Sequence, residues 1–130
     1  MARVKGILID PFACSITEIE HESESLDGIY ALLSLDDKCV TTFTCVYSGM
    51  LQPVDAIYVD DEALIEPCER YFMFPGCLQP YAGKGLILGS DAKGRTADAQ
   101  TLLPYVELTT FFLERQGSLF SATVEPWVKK

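Results

Sequence analysis

Apolar and β-forming residues occur in this chain only in short runs, and turn-forming residues close most of them. The first run, residues 4–9, ends at Asp10-Pro11, and the run at residues 70–74 ends at Pro75-Gly76. Runs of this length suit β-strands and are far too short for a membrane-spanning helix of about 20 residues. We predict strands at residues 4–9, 39–47, 56–59, 70–74 and 85–89, with residues 15–20 as a candidate partner of the first.

One segment has helical rather than strand periodicity. Leu26, Ile29, Tyr30 and Leu33 recur at i, i+3, i+4 and i+7, a spacing that places them on one face of a helix. We predict a helix at residues 25–34 that packs this apolar stripe against a sheet.

The last third of the chain is compatible with two structures. Residues 105–114 are rich in β-formers, 115–118 contain a glycine-bearing reversal, and 119–124 follow as a second strand, which together predict a hairpin. A helical turn stopped by Pro104 is also compatible. The pattern therefore leaves open whether residues 97–113 are helix or strand.

The predicted elements define a fold class. Strands do not alternate with helices, which disfavours a doubly wound parallel sheet. We predict one α+β domain spanning residues 1–130: a mainly antiparallel, curved sheet of six to eight short strands, with one main helix packed on one face.

Charge excludes several classes of partner. Nineteen Asp and Glu residues against ten Lys and Arg residues give a formal net charge of −9. Nucleic-acid binding needs a basic face, and an anionic membrane surface would repel such a chain. The N-terminal apolar run stops before it reaches signal-peptide length. We therefore predict a cytoplasmic protein that binds neither nucleic acid nor membrane.

Catalytic and metal-binding signals are weak. The five cysteines include no Cys-x-x-Cys pair, and the single histidine, His21, lies among glutamates that we expect to keep it exposed and protonated. The densest carboxylate group fits a simple acidic turn: Asp60, Asp61, Glu62 and Glu66. We predict no metal and no cofactor; the absence of a catalytic constellation favours a non-enzymatic protein, with an enzyme of unknown class left open.

One glycine-bracketed segment resembles a ligand loop. In Gly83-Lys84-Gly85, bare backbone N–H groups and a lysine are the donors that can hold a phosphate. Neither the Walker pattern nor the dinucleotide fingerprint is complete, because the glycines open a strand rather than a helix. The candidate residues for a small anionic or nucleotide-like ligand are Gly83, Lys84, Gly85, Arg95 and Tyr81.

The order of these features resembles an uncharacterised family of small proteins encoded by bacteriophages, plasmids and mobile elements, a domain of unknown function. The matching parts, within residues 4–95, are the first strand, the Leu26/Ile29/Leu33 helix, Asp60-Asp61-Glu62-Ala63-Leu64 and Gly85-Leu-Ile-Leu-Gly89-Ser90-Asp91. The cysteines and the longer C-terminal hairpin depart from that pattern. The resemblance implies a mobile-element origin and a bacterial cytosol, and it assigns no catalytic residue.

The sequence thus favours a small acidic accessory factor that binds another protein. A strand at residues 106–113, if it lies at a sheet edge, could pair with a partner or with a second copy in a homodimer. The candidate interface residues are Val106, Leu108, Phe111 and Leu113. The alternatives are a binding module for a small anionic ligand and an enzyme of unknown class.

Overall fold

The computed structural model describes residues 3–22, 26–35, 40, 42–60, 70–76, 80–116 and 123–126. Strands in these residues are β1 (Arg3–Asp10), β2 (Ser15–Glu22), β3 (Phe43–Val46), β4 (Asp55–Asp60), β5 (Arg70–Met73), β6 (Tyr81–Ala82), β7 (Gly85–Ser90), β8 (Thr96–Ala97), β9 (Phe111–Gln116) and β10 (Thr123–Pro126). The helices are α1 (Leu26–Leu33) and α2 (Leu103–Thr109). The α+β, mainly antiparallel class predicted from the sequence is confirmed.

The strands form two sheets rather than one. The larger sheet has the order β2-β1-β7-β4-β3, with β8 paired to β7, and the smaller has the order β10-β9-β5-β6. Every pairing between the described strands is antiparallel. The glycine-bracketed run becomes β7, between β1 and β4, and this central position explains why five of its six residues are buried.

Two apolar cores lie on opposite faces of the larger sheet. Helix α1 covers one face, where Ile29 and Leu33 pack with β7 residues Leu86 and Leu88. The core on the other face joins both sheets and α2, and its buried members are Ile7, Ile9, Leu51, Ile57, Val59, Phe72, Phe74, Ile87 and Val106. The predicted helix at residues 25–34 is confirmed as α1, one residue shorter at each end.

The second helix was not resolved by sequence reasoning. Pro104 lies in the first turn of α2, whereas the sequence analysis considered it as a stop signal. Proline is favoured in a first turn because its missing N–H would have no intrahelical acceptor there. The hairpin that follows is confirmed, but its strands are β9 and β10, which begin later than predicted.

The two sheets approach closely where Phe72 of β5 lies over Gly85 of β7. A Cβ atom built at Gly85 would lie 2.6 Å from Cζ and 2.9 Å from Cε1 of Phe72, and 3.2 Å from Cγ2 of Ile57. Phe72 is completely buried, so its ring cannot swing into solvent to make room for an added methyl group. The absence of a side chain at residue 85 therefore sets the spacing between the sheets.

Gly85→Ala should lower the free energy of unfolding by about 1–3 kcal/mol, because the added methyl overpacks the contact between the sheets. The matched control is Gly49→Ala, whose Cβ would meet nothing within 4 Å. The free energy of unfolding of this control should lie within about 0.5 kcal/mol of that of the parent protein. Urea denaturation measures both, and equal midpoints for the two variants would contradict the assigned role of Gly85.

Candidate functional site

The lysine predicted to hold a ligand has partners inside the fold. Lys84 Nζ donates a hydrogen bond to the backbone oxygen of Ser34 at 3.0 Å. The same nitrogen lies 4.0 Å from Oδ2 of Asp10, and the two side chains are only 17% and 18% exposed. Lys84 therefore ties the end of α1 to β1 and β7, and much of its charge is balanced within the molecule.

The neighbouring candidates also have structural roles. Gly83 adopts φ +80°, a left-handed conformation that favours glycine, and its N–H donates to the Arg70 oxygen at 3.0 Å. Tyr81 lies with its ring centre 5.9 Å from that of Phe72. Together with Gly85, these residues join β7 to the smaller sheet.

Arg95 lies far from the other four ligand candidates. Strand β7 separates it from Lys84, and six strand residues span roughly 20 Å. Arg95 Nε donates to Asp91 Oδ2 at 3.0 Å within the turn that follows β7. The Arg95 backbone N–H also donates a hydrogen bond to Asp91, which lowers the pKa of that carboxyl group. The ion pair between Arg95 and Asp91 is therefore part of the turn. The structure therefore does not gather Arg95 and Lys84 into one anion site.

The predicted interface residues divide into one core residue and three near the surface. Val106 is fully buried, whereas Leu108 is 85% exposed, Phe111 is 64% exposed and Leu113 is half-buried. The expected edge strand at residues 106–113 does not exist. Residues 106–109 belong to α2, and β9 is an inner strand that pairs with both β5 and β10.

On its outer side, the smaller sheet carries four large side chains from β5 and β9. In the β5–β9 register Phe72 lies opposite Phe112, and both pack into the core between the sheets. Side chains alternate along a strand, so the flanking pairs point to the other side. Those pairs are Tyr71 with Leu113 and Met73 with Phe111. We call these four residues the outer apolar face: Tyr71, Met73, Phe111 and Leu113.

Sequence reasoning missed half of this face. It named Phe111 and Leu113 as interface candidates, but it predicted residues 70–74 only as a strand. The available signal was the absence of alternation: a strand with apolar residues on both sides has two apolar faces to cover.

A buried carboxylate holds the chain that leads into α2. Asp55, 2% exposed, accepts hydrogen bonds from the Gln100 N–H at 3.0 Å, the Thr101 N–H at 2.7 Å and the Thr101 hydroxyl at 2.6 Å. The Thr101 hydroxyl oxygen accepts in turn from the Gln52 N–H at 3.0 Å. These bonds fix the loop before β4 and the segment before α2, so the role of Asp55 is structural.

Asp55→Ala should lower the free energy of unfolding by about 2–5 kcal/mol, because it leaves several buried donors without an acceptor. The control is Asp98→Ala in the same segment, where an exposed carboxylate accepts from the Lys5 N–H at 2.8 Å. The Asp98→Ala variant should lower the free energy of unfolding by about 1 kcal/mol. Chemical denaturation compares the two, and a loss at Asp55 no larger than at Asp98 would rule out the assigned role.

His21 is buried, contrary to the expectation that it is exposed and protonated. It is 3% exposed, and its Nε2 has no hydrogen-bond partner among the described residues. Strand alternation puts His21 on the α1 side of β2, beside Ile19, and puts Glu18, Glu20 and Glu22 on the other side. Burial, reinforced by the positive charge of Arg3, lowers the pKa of His21, while the charge of Glu22 acts in the opposite direction.

This burial makes stability depend on pH. The folded pKa lies below the ordinary histidine value of 6.5, so the unfolded chain binds the proton first as the pH falls. The contribution of His21 to the free energy of unfolding should therefore be constant above about pH 7.5 and should decrease below about pH 6.5. The slope for one proton is at most about 1.4 kcal/mol per pH unit.

The measurement is a series of urea denaturations from about pH 7.5 to about pH 5.5, with His21→Leu as the control. The variant should lose less stability across this interval than the parent protein, whatever its stability at neutral pH. Parallel pH profiles for the two proteins would show that His21 does not titrate in this way.

The described cysteines and carboxylates do not form a metal-binding cluster. In the part of the chain that is described, no group of three or more His, Cys, Asp or Glu side chains could hold a metal ion. Asp60 is buried at the end of β4, and Asp61, Glu62 and Glu66 lie outside the described residues. Burial raises the pKa of the Cys45 thiol, although a hydrogen bond with Tyr58 acts in the opposite direction. The raised pKa disfavours a thiolate nucleophile at Cys45.

Comparison of the chain with protein-family models, with curated proteins and with solved structures finds no match. The resemblance to a family of mobile-element proteins therefore stays a prediction. Within the described residues, no helix has the length and apolar character needed to cross a membrane.

Proposed function

We propose that this chain is a non-enzymatic protein-binding factor that docks its partner on the outer apolar face. The observation that supports this proposal is the exposure of Phe111, 64%, on a sheet face where Met73, Tyr71 and Leu113 lie beside it. Leu108, 85% exposed, lies three positions before Phe111, so the two Cα atoms are within about 10 Å.

The composition and support of this surface suit an interface. Aromatic residues and methionine are enriched in the cores of protein–protein interfaces. Phe111 is exposed, and Tyr71, Met73 and Leu113 beside it are half-buried. Met73 and Phe111 lie on paired strands, with the core beneath them. Side chains held on a paired sheet lose little freedom on binding, which favours affinity.

Charge indicates the kind of partner. The chain has a formal net charge of −9, and Glu107 is exposed on α2 next to Leu108. A second copy would bring the same negative charge to the contact, whereas a partner with basic residues around an apolar centre would be attracted. We therefore infer a different protein, apolar at its contact centre and basic at its rim.

The alternative functions have less support. A small anionic ligand would need Lys84, whose amine already bonds to Ser34 and lies beside Asp10. An enzyme would need an activated group, and the described residues offer no metal cluster and a Cys45 thiol whose pKa is raised.

A photoreactive amino acid at residue 108 should crosslink a partner in cells of the source organism. Phe111→Ser in the same chain should abolish the crosslink, because loss of a central aromatic contact typically weakens an interface by about 30-fold or more. The positional control is the same probe at residue 26, where Leu26 is 55% exposed on α1 on the opposite face of the larger sheet.

Three results would contradict the proposal. They are a crosslink that survives Phe111→Ser, equal crosslinks from residues 108 and 26, and a product with twice the 14.4 kDa mass of the chain, which would indicate a second copy. Circular dichroism of the Phe111→Ser variant verifies that the fold is retained.

A further inference from the structure

Strand β2 forms an outer edge of the larger sheet. All eight of its residues pair with β1, and no other described strand pairs with it. Strand edges carry backbone N–H and C=O groups that can accept another strand. The question is which residues present those groups on the open side of β2.

The contacts of Lys5 on β1 show which residues of β2 direct their backbone groups away from β1. Its N–H donates to Asp98 Oδ1 at 2.8 Å and its oxygen accepts from the Ala99 N–H at 2.8 Å, so both groups point away from β2. Backbone direction alternates along a strand, so Val4 and Gly6 direct their groups to β2, where they pair with His21 and Ile19. By the same alternation, the residues of β2 that direct N–H and C=O to the open edge are Ile16, Glu18, Glu20 and Glu22.

The side chains of the three glutamates share one face of the sheet and are exposed. On the β1 side of them that face carries two bases. Arg3 Nε donates to Glu20 Oε2 at 3.1 Å, and Lys5 lies directly opposite Glu20 in the register. On the open side no described strand supplies such bases. Opposite charges on directly paired strands attract, so a basic strand fits this side.

The same charges disfavour a second copy. Two β2 edges paired with each other would bring their glutamates together, and like charges opposite one another destabilise strand pairing. Charged side chains are a common protection of edge strands against self-association. The edge therefore discriminates between strands by charge.

We propose that residues 18–22 bind an extended basic segment of a partner protein, which adds to the larger sheet beside β2. Such a segment has Lys or Arg at alternate positions, opposite Glu18, Glu20 and Glu22, and small or apolar residues between them. Helix α2 contacts β2, and Ile16 packs against the core that contains Val106 of α2, so we place the docking length beyond Ile16, at residues 18–22. This site is separate from the outer apolar face and does not rest on the function proposed there.

The probe is the synthetic peptide Thr-Lys-Val-Lys-Val-Lys-Thr, titrated into the isotope-labelled full chain and followed by NMR. The backbone amides of residues 18, 20 and 22 should shift and become protected from hydrogen exchange, and affinity should fall as salt is raised. Two control peptides have the same length: one with glutamate in place of lysine, and one with the three lysines consecutive.

Three variants separate the contribution of charge from that of backbone pairing. Glu18→Gln, Glu20→Gln and Glu22→Gln combined should weaken peptide binding about tenfold or more, whereas the exposed-site control Asp27→Asn should change it less than about twofold. Glu20→Pro removes one carboxylate and also an outward N–H, at an edge position where proline is tolerated, and should weaken binding more than Glu20→Gln, which removes the carboxylate alone.

The proposal is overturned if the amides of residues 18–22 do not respond, if the consecutive-lysine peptide binds equally well, or if Glu20→Pro leaves affinity unchanged. It is also overturned if the chain alone sediments as a dimer that Glu20→Pro dissociates, which would make a second copy the occupant. Phe111→Ser should leave peptide affinity unchanged, so this test and the crosslinking test fail independently.

Discussion

The contact of Phe72 with Gly85 determines how the two sheets lie against each other. Gly85 has no side chain, so the Phe72 ring can approach β7 directly, and it is fully buried there. Once Phe72 points inward, strand alternation forces Tyr71 and Met73 outward, and the β5–β9 register brings Phe111 and Leu113 beside them. The outer apolar face is therefore a geometric consequence of how the core is packed.

The same alternation sorts charge along β2. His21 and the glutamates are neighbours in the sequence but lie on opposite sides of one strand. His21, which was expected to be exposed and protonated, is therefore buried, and burial lowers its pKa. The segregation places Glu18, Glu20 and Glu22 together on one side of β2, at the edge of the described sheet. A face rich in one charge beside unpaired backbone is selective for a partner of opposite charge.

Much of the fold was predictable because its signals are local. The spacing of Ile29 and Leu33 identified α1, and the apolar runs identified β1, β4, β5 and β7 within a residue or two. Whether residues 97–113 are helix or strand stayed open because the segment combines β-forming residues with an ambiguous proline at Pro104; in the structure Leu103–Thr109 form α2 and Val106 is buried in the core. Of the outer apolar face, the sequence analysis named Phe111 and Leu113 as interface candidates and did not name Tyr71 and Met73.

By itself the sequence determined the fold class, the negative charge and the positions of most elements, since composition and periodicity act over a few residues. Only the tertiary structure decided that Lys84 is held by Ser34 and Asp10, that Asp55 anchors Thr101, and which of the described strands lies at the edge of the larger sheet. These features join residues distant in sequence, and pairing register and burial, which no local pattern encodes, bring them together.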